Sequence, residues 1–381
     1  MLFVPLLHGV RQVLIQPSVT VNPFNRTLTC GGSSGGEGAL VGLRGSLLGI
    51  GTDIGGSIRS PAGDNGVYGF KPSSYRLPTS GWVATMIGNE QIVPCIGPLS
   101  TSLEGVKLFC KTLIDGKPWL KEPSLLPMPW SWDEKLWKSC GKKLKVGVLY
   151  DDGVVQPHPP VTRALKETVA KLEASGLVDV VEWKPYKHDE AWEIISSMYF
   201  SDAAAEELGT MALSGEPVLP LTKWKLQDDP NVVAHDVHGI WRWTTKRELY
   251  RAEYAAQWNA TATGPGGEGA VDVILAPMRP SVAPKLEQSK YWCYTSQWNL
   301  LDYPAVVFPS GLSVDVEKDS GTDYENYTPR NEKDEFNYKQ WKDGGAEGYK
   351  EAPISLQLVG RRWQDERTLR ALEVVMEVVG I

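Results

Sequence analysis

Two rhythms of apolar residues alternate along this chain. Residues 145–150 form a short apolar run of strand length. Val161, Leu165, Val169 and Leu172 follow at helical spacing, with Gly176 as a stop. Residues 178–183 resume as a strand, so this stretch predicts a strand–helix–strand unit. Residues 38–50 read as a small-residue helix running into a short apolar strand. Further helices are expected at 190–208 and 234–260, and further strands at 270–276, 304–309 and 353–360. The chain closes on an amphipathic helix that turns Leu369, Leu372, Val375, Met376 and Val379 inward. Residues 311–350, polar, charged and rich in glycine, read as a surface insertion or long loop. Strands alternating with helices predict an α/β fold, and no internal repeat is visible.

Composition narrows the function classes. A length of 381 residues suits one large α/β domain or two modest ones, and we read 1–381 as one. The net charge of −7 leaves no basic excess to neutralise phosphates, which argues against a nucleic-acid partner. Cys30, Cys95, Cys110, Cys140 and Cys293 are scattered, odd in number and free of C-x-x-C pairs, which fits a reducing compartment and opposes a zinc framework. No apolar stretch has transmembrane length. The apolar opening, residues 1–7, lacks the basic flank and small-residue cleavage site of a secretory signal, so it reads as a buried strand or ragged start. The cytoplasm is the expected location. The sequons at Asn259 and Asn326 then read as chance.

Candidate chemistry concentrates in one place. Eleven of the 38 glycines lie between Gly31 and Gly56, and they flank two serine sites, Ser33–Ser34 and Ser57. Glycine at that density lets backbone N–H groups approach a ligand closely. A serine hydroxyl becomes a nucleophile when a base takes its proton, and the reaction needs donors for the charge that develops on a carbonyl oxygen. The run Ile54-Gly55-Gly56-Ser57 offers such donors beside Ser57, with Ser33 or Ser34 placed to stand between it and a base. A phosphate loop fits less well: no lysine precedes Lys71, and Val41 stands where a dinucleotide fingerprint wants its last glycine. His235 and His238, with Asp236 between them, lack the remaining ligands of a metal site and read as exposed helix residues. His8, His158 and His188 have no nucleophile partner in sequence. Trp130, Trp132 and Trp137 suit a substrate channel or simple core packing.

The segment from Asn22 to Ser73, above all 30–59 with Gly69-Phe70-Lys71-Pro72, resembles the amidase signature family. Within it the likeness is to fungal acetamidase-like enzymes and, more distantly, to fatty-acid amide hydrolase. It continues through Gly97-Pro98-Leu99, Pro127-Met128-Pro129-Trp130, the 298–303 stretch Trp-Asn-Leu-Leu-Asp-Tyr, and Gln357-Leu358-Val359-Gly360-Arg361-Arg362. The resemblance implies a mixed central β-sheet flanked by helices and hydrolysis of a carboxylic amide through a serine–cis-serine–lysine triad. Ser57 would form the acyl-enzyme, and Ser33, after a cis peptide, would relay the proton, with Ser34 a lesser candidate. The backbone of Ile54, Gly55, Gly56 and Ser57 would hold the oxyanion, and Asp53 and Arg59 would support the loop. It implies no cofactor, no metal and a small-molecule amide as the partner; a homo-oligomer is compatible with it. The family's lysine lies several tens of residues before the relay serine, in a segment absent from this sequence. Lys71 matches a different, structural position. The expectation is therefore an N-terminally truncated chain with impaired activity. The alternatives are a catalytically silent amide-binding relative, or the amidase subunit of a tRNA-dependent amidotransferase.

Overall fold

The computed structural model describes residues 19–137, 143–321 and 323–381. Its strands are β1 (Leu48–Asp53), β2 (Tyr68–Lys71), β3 (Cys95–Ser100), β4 (Leu144–Val148), β5 (Val178–Glu182), β6 (Val273–Pro277), β7 (Ala305–Ser313) and β8 (Pro353–Val359). They form a single sheet in the order β1-β3-β2-β7-β8-β6-β4-β5. β4 runs parallel to β5 and β6, and every other neighbouring pair is antiparallel, so the sheet is mixed.

The helices are α1 (Gly35–Gly42), α2 (Arg59–Asp64), α3 (Leu103–Asp115), α4 (Pro159–Ala174), α5 (His188–Tyr199), α6 (Ala205–Ser214), α7 (Pro220–Leu226), α8 (Val237–Asn259), α9 (Cys293–Leu300), α10 (Val316–Asp319), α11 (Glu332–Gly348) and α12 (Asp365–Val379). The central strands read as unbroken apolar runs because both sheet faces are covered. Val273 and Leu275 of β6 pack in one cluster with Leu165 and Leu172 of α4 and Leu369, Leu372 and Val375 of α12. Ile274 and Ala276 point the other way, into a cluster with Ile194 and Ile195 of α5, Tyr250, Tyr254 and Trp258 of α8, and Trp298 of α9. The period of two along β6 thus sorts its side chains between two cores.

The β4–α4–β5 unit matches its periodicity: Val161, Leu165, Val169 and Leu172 are buried, and Gly176 takes a left-handed φ of +67° just past the helix. Val237–Asn259 starts where Asp236 accepts the Gly239 N–H at 2.6 Å, an N-cap. Two expectations are corrected. The helix expected over 190–208 breaks after Tyr199, because the Asp202 carboxylate accepts the N–H groups of Ala204 and Glu206 and starts a new helix. Residues 311–350 are no loop. β7 extends to Ser313, and α11 begins where Asn331 caps the N–H groups of Lys333 and Asp334. Trp341, Ala346 and Tyr349 then bury themselves in a third cluster with Leu28, Ile354 and Val161.

Trp130 and Trp132 stack with ring centroids 5.8 Å apart and, like Trp137, pack on the α3–α12 cluster. Cys30, Cys95, Cys110 and Cys293 are buried free thiols. Residues 1–7, His8 and Cys140 lie outside the described residues. No described helix is long and apolar enough to cross a membrane.

Candidate active site

β1 is an edge strand, and its outward N–H groups need partners. The residues around the start of α1 supply them. Glu37 Oε1 accepts from Ile50 N–H at 3.0 Å, and Ser34 Oγ accepts from Thr52 N–H at 3.2 Å. Close approach is possible because Gly51 has no side chain: a Cβ there would lie 2.7 Å from Ser34 Oγ. Ser34 N–H also donates to the Ser57 carbonyl at 3.2 Å. These bonds lay the Ser33–Ser34 segment against residue 57 across 24 residues of sequence. The Gly32–Ser33 peptide is cis. Ser34 is therefore committed to the scaffold.

After β1 the chain turns through Ile54, Gly55 and Gly56 into Ser57 and then α2. Gly56 has a φ of +123°, which only glycine adopts without strain. Asp53, wholly buried, organises the turn. Its carboxylate accepts N–H bonds from Gly56 at 2.7 Å and Ile58 at 3.2 Å, from Arg59 Nε at 3.0 Å and from Asn299 Nδ2 at 2.9 Å. Burial alone would raise the pKa of this carboxyl, but the Arg59 guanidinium outweighs it and holds the pKa well below the usual carboxylate range. Arg59 reaches on to the Thr295 carbonyl at 2.8 Å and Asn299 Oδ1 at 2.6 Å, so the pair is fully hydrogen-bonded.

The turn's carbonyls are also held from outside. Tyr199 of α5 donates its hydroxyl to the Ile54 carbonyl at 2.8 Å, and Thr295 of α9 donates Oγ1 to the Gly55 carbonyl at 2.7 Å. With both carbonyls turned onto these partners, the N–H groups of Ile54, Gly55 and Ser57 have no acceptor among the described residues. Gly56 differs: its N–H is taken by Asp53, so of the four expected oxyanion donors it is the one already engaged. Ser57 Oγ is buried and has no hydrogen-bond partner among the described residues. A cavity of about 180 Å³ opens beside this turn, lined by Thr52, Asp53 and Ile54 and by apolar residues including Trp82, Met86 and Ile92.

Lys71 lies on β2, buried, with Nζ donating to the Pro72 carbonyl at 2.8 Å and 3.9 Å from Asp302. It belongs to a knot in which Asp302 also accepts the Ser74 N–H at 2.8 Å and Arg362 Nε at 2.6 Å. Here the separated sequence blocks around residues 71, 302 and 362 meet. Asp236 is spent as a helix cap, and His235 Nε2 lies 3.2 Å from the Ser197 carbonyl. Sequence reasoning missed Tyr199, Thr295 and Asn299. The block 298–303 pointed to Asn299, whereas nothing local distinguishes Tyr199 or Thr295 from core residues.

Comparison with known proteins gives one consistent result. The family model described as Amidase matches residues 13–369. A Schizosaccharomyces pombe protein whose name places it among the amidases is 47% identical over 363 residues, covering 95% of this chain and 64% of its own length. The acetamidase of Emericella nidulans is 38% identical over 364 residues, again covering 95% of this chain and 64% of the relative. The chain thus spans just under two thirds of these relatives. Among solved structures, a fatty acid amide hydrolase superposes with a TM-score of 0.89 at 33% identity, covering 98% of this chain and 63% of the other.

Proposed function

Because the chain belongs to the amidase family, we propose that it hydrolyses a carboxylic amide to the carboxylate and ammonia or an amine, with Ser57 as the acyl-forming nucleophile. The observation that carries this reading is Ser57 itself: a buried hydroxyl without a partner among the described residues, at the end of a turn whose Ile54, Gly55 and Ser57 N–H groups are unclaimed. Ser57 Oγ attacks the amide carbonyl as Ser33 takes its proton. Negative charge gathers on the carbonyl oxygen, and the three N–H groups stabilise it in a site that needs no reorganisation. Collapse expels the amine, which leaves with a proton returned through Ser33, and water then hydrolyses the acyl-serine. The apolar hollow beside Ile54, about 180 Å³, suits the hydrocarbon substituent of a small amide.

The base beyond Ser33 is not Lys71, whose ammonium is occupied by Pro72 and Asp302.

A serine-directed fluorophosphonate tests the nucleophile without requiring full turnover. Covalent labelling located at Ser57 by peptide mass spectrometry, and lost in Ser57→Ala, supports the reading. A folded chain that binds amides but never labels at Ser57 rejects it in favour of a silent binding protein.

A further inference from the structure

Away from the serines, three side chains from distant parts of the sequence converge. Asp152 follows β4, His188 opens α5 and Cys293 opens α9. A carboxylate oxygen, an imidazole nitrogen and Sγ lie within 4.8 Å of one another, and the three residues are 1%, 2% and 0% exposed. Asp152 is held in place: one carboxylate oxygen accepts the N–H groups of Val154 and Val155 at 2.9 and 2.8 Å, the other the Tyr291 hydroxyl at 2.6 Å. Cys293 Sγ donates to the backbone carbonyl of His188 at 3.0 Å. The His188 ring, in contrast, has no hydrogen-bond partner for either nitrogen among the described residues. A buried imidazole without partners is costly unless something else engages it.

The geometry points to Asp152, His188 and Cys293 as a binding site for a zinc-class divalent cation. The donor set selects the ion. Thiolate and imidazole favour Zn²⁺, whereas calcium and magnesium require six or more oxygens or ordered water. A dication bound by one carboxylate and one thiolate makes a neutral assembly, which suits a buried position. Three protein ligands leave the fourth tetrahedral place for water or the neighbouring Tyr291 hydroxyl. Burial keeps the imidazole neutral, with its pKa pushed down to about 3, so a nitrogen lone pair is free at neutral pH. Burial pushes the Cys293 thiol well up, and binding must expel its proton to solvent; Lys333 nearby favours the thiolate. The sulfur would then exchange the His188 carbonyl for the metal.

A cavity of about 590 Å³ is lined by Asp152 and His188 together with Lys187, Glu332 and Lys333. An ion held by the three side chains would cross-link the β4 end to α5 and α9, and Thr295, two residues after Cys293, holds the Gly55 carbonyl. Metal binding should therefore stabilise the fold, as any ligand of the native state does.

The test uses the reduced, purified 381-residue chain with metal alone. After incubation with Zn²⁺ and gel filtration, zinc per chain is measured by mass spectrometry; Co²⁺ titration reports the ligands by absorbance. One retained zinc, a thiolate-to-Co²⁺ charge-transfer band and a Zn²⁺-induced rise in Tm are expected. Cys293→Ser, near-isosteric, should keep the metal-free Tm, lose the band and weaken Zn²⁺ by at least about tenfold, and His188→Gln should weaken it similarly. Absence of zinc retention by the unmodified chain, or equal affinity in both variants, overturns the proposal.

Discussion

Asp53 shows how one side chain sets the chemistry of another. Its carboxylate fixes the Gly56 and Ile58 N–H groups and pairs with a fully buried Arg59, so the turn that presents Ser57 has a defined shape. Replacing it by Asn breaks a buried ion pair, and Asp53→Asn should lower unfolding free energy by about 3–5 kcal/mol in urea titrations. The pH dependence has a definite sign. The folded-state pKa of Asp53 is depressed, so its contribution is complete above the unfolded value of about 3.9 and is lost as pH falls below it. Acid unfolding of the unmodified chain should steepen below about pH 4, and in Asp53→Asn that part of the slope should disappear. Tyr199 and Thr295 act through the turn without belonging to it. Tyr199→Phe and Thr295→Val each leave a buried carbonyl unpaired and free the turn to shift. Fluorophosphonate labelling at Ser57 should slow by about tenfold or more, since small misplacements of reacting groups cost that much. Equal labelling rates would show that the turn holds its shape without them.

At the scale of elements, local patterning was legible wherever a helix or strand packs one regular face. α4 and α12 are examples, since their apolar positions recur at helical spacing and Leu165, Val169 and Leu172 of α4 meet Leu369, Leu372 and Val375 of α12 in one cluster. α11 was hidden because most of its residues are polar and Trp341 and Ala346 provide only isolated anchors. Those anchors fill a pocket formed by Leu28, Val161 and Ile354, which come from three other parts of the chain. Trp341→Ala should therefore destabilise the protein by about 3–5 kcal/mol, measured by chemical denaturation, despite lying in a segment that reads as solvent-facing. The break between α5 and α6 was hidden for a different reason. Helix propensity runs through it, and the backbone is diverted by the Asp202 side chain, bonded to the Ala204 and Glu206 N–H groups, and by the His235 N–H, which donates to the Ser201 carbonyl at 2.8 Å.

For the whole molecule, the sheet orders the parts by protection. β7 and β8 share the longest pairing and lie between two apolar cores, whereas β1 and β5 are edges. Hydrogen exchange should be slowest in β7 and β8 and fastest in β5; on the outward side of β1, exchange should be slowed where Glu37 and Ser34 accept from Ile50 and Thr52. Uniform exchange across the sheet would contradict this order. The sequence by itself determined the α/β class, the β4–α4–β5 unit, the terminal helix and the pair of glycine-rich serine segments, because periodicity, glycine spacing and serine placement are local properties. Tertiary structure alone decided that Gly56 N–H belongs to Asp53 while its neighbours find no acceptor among the described residues, that Tyr199 and Thr295 hold the turn, and that Asp152, His188 and Cys293 meet. Each of these depends on contacts between residues from 3 to about 240 positions apart. Which partner a backbone group finds is set by packing, and no pattern within a single segment encodes it.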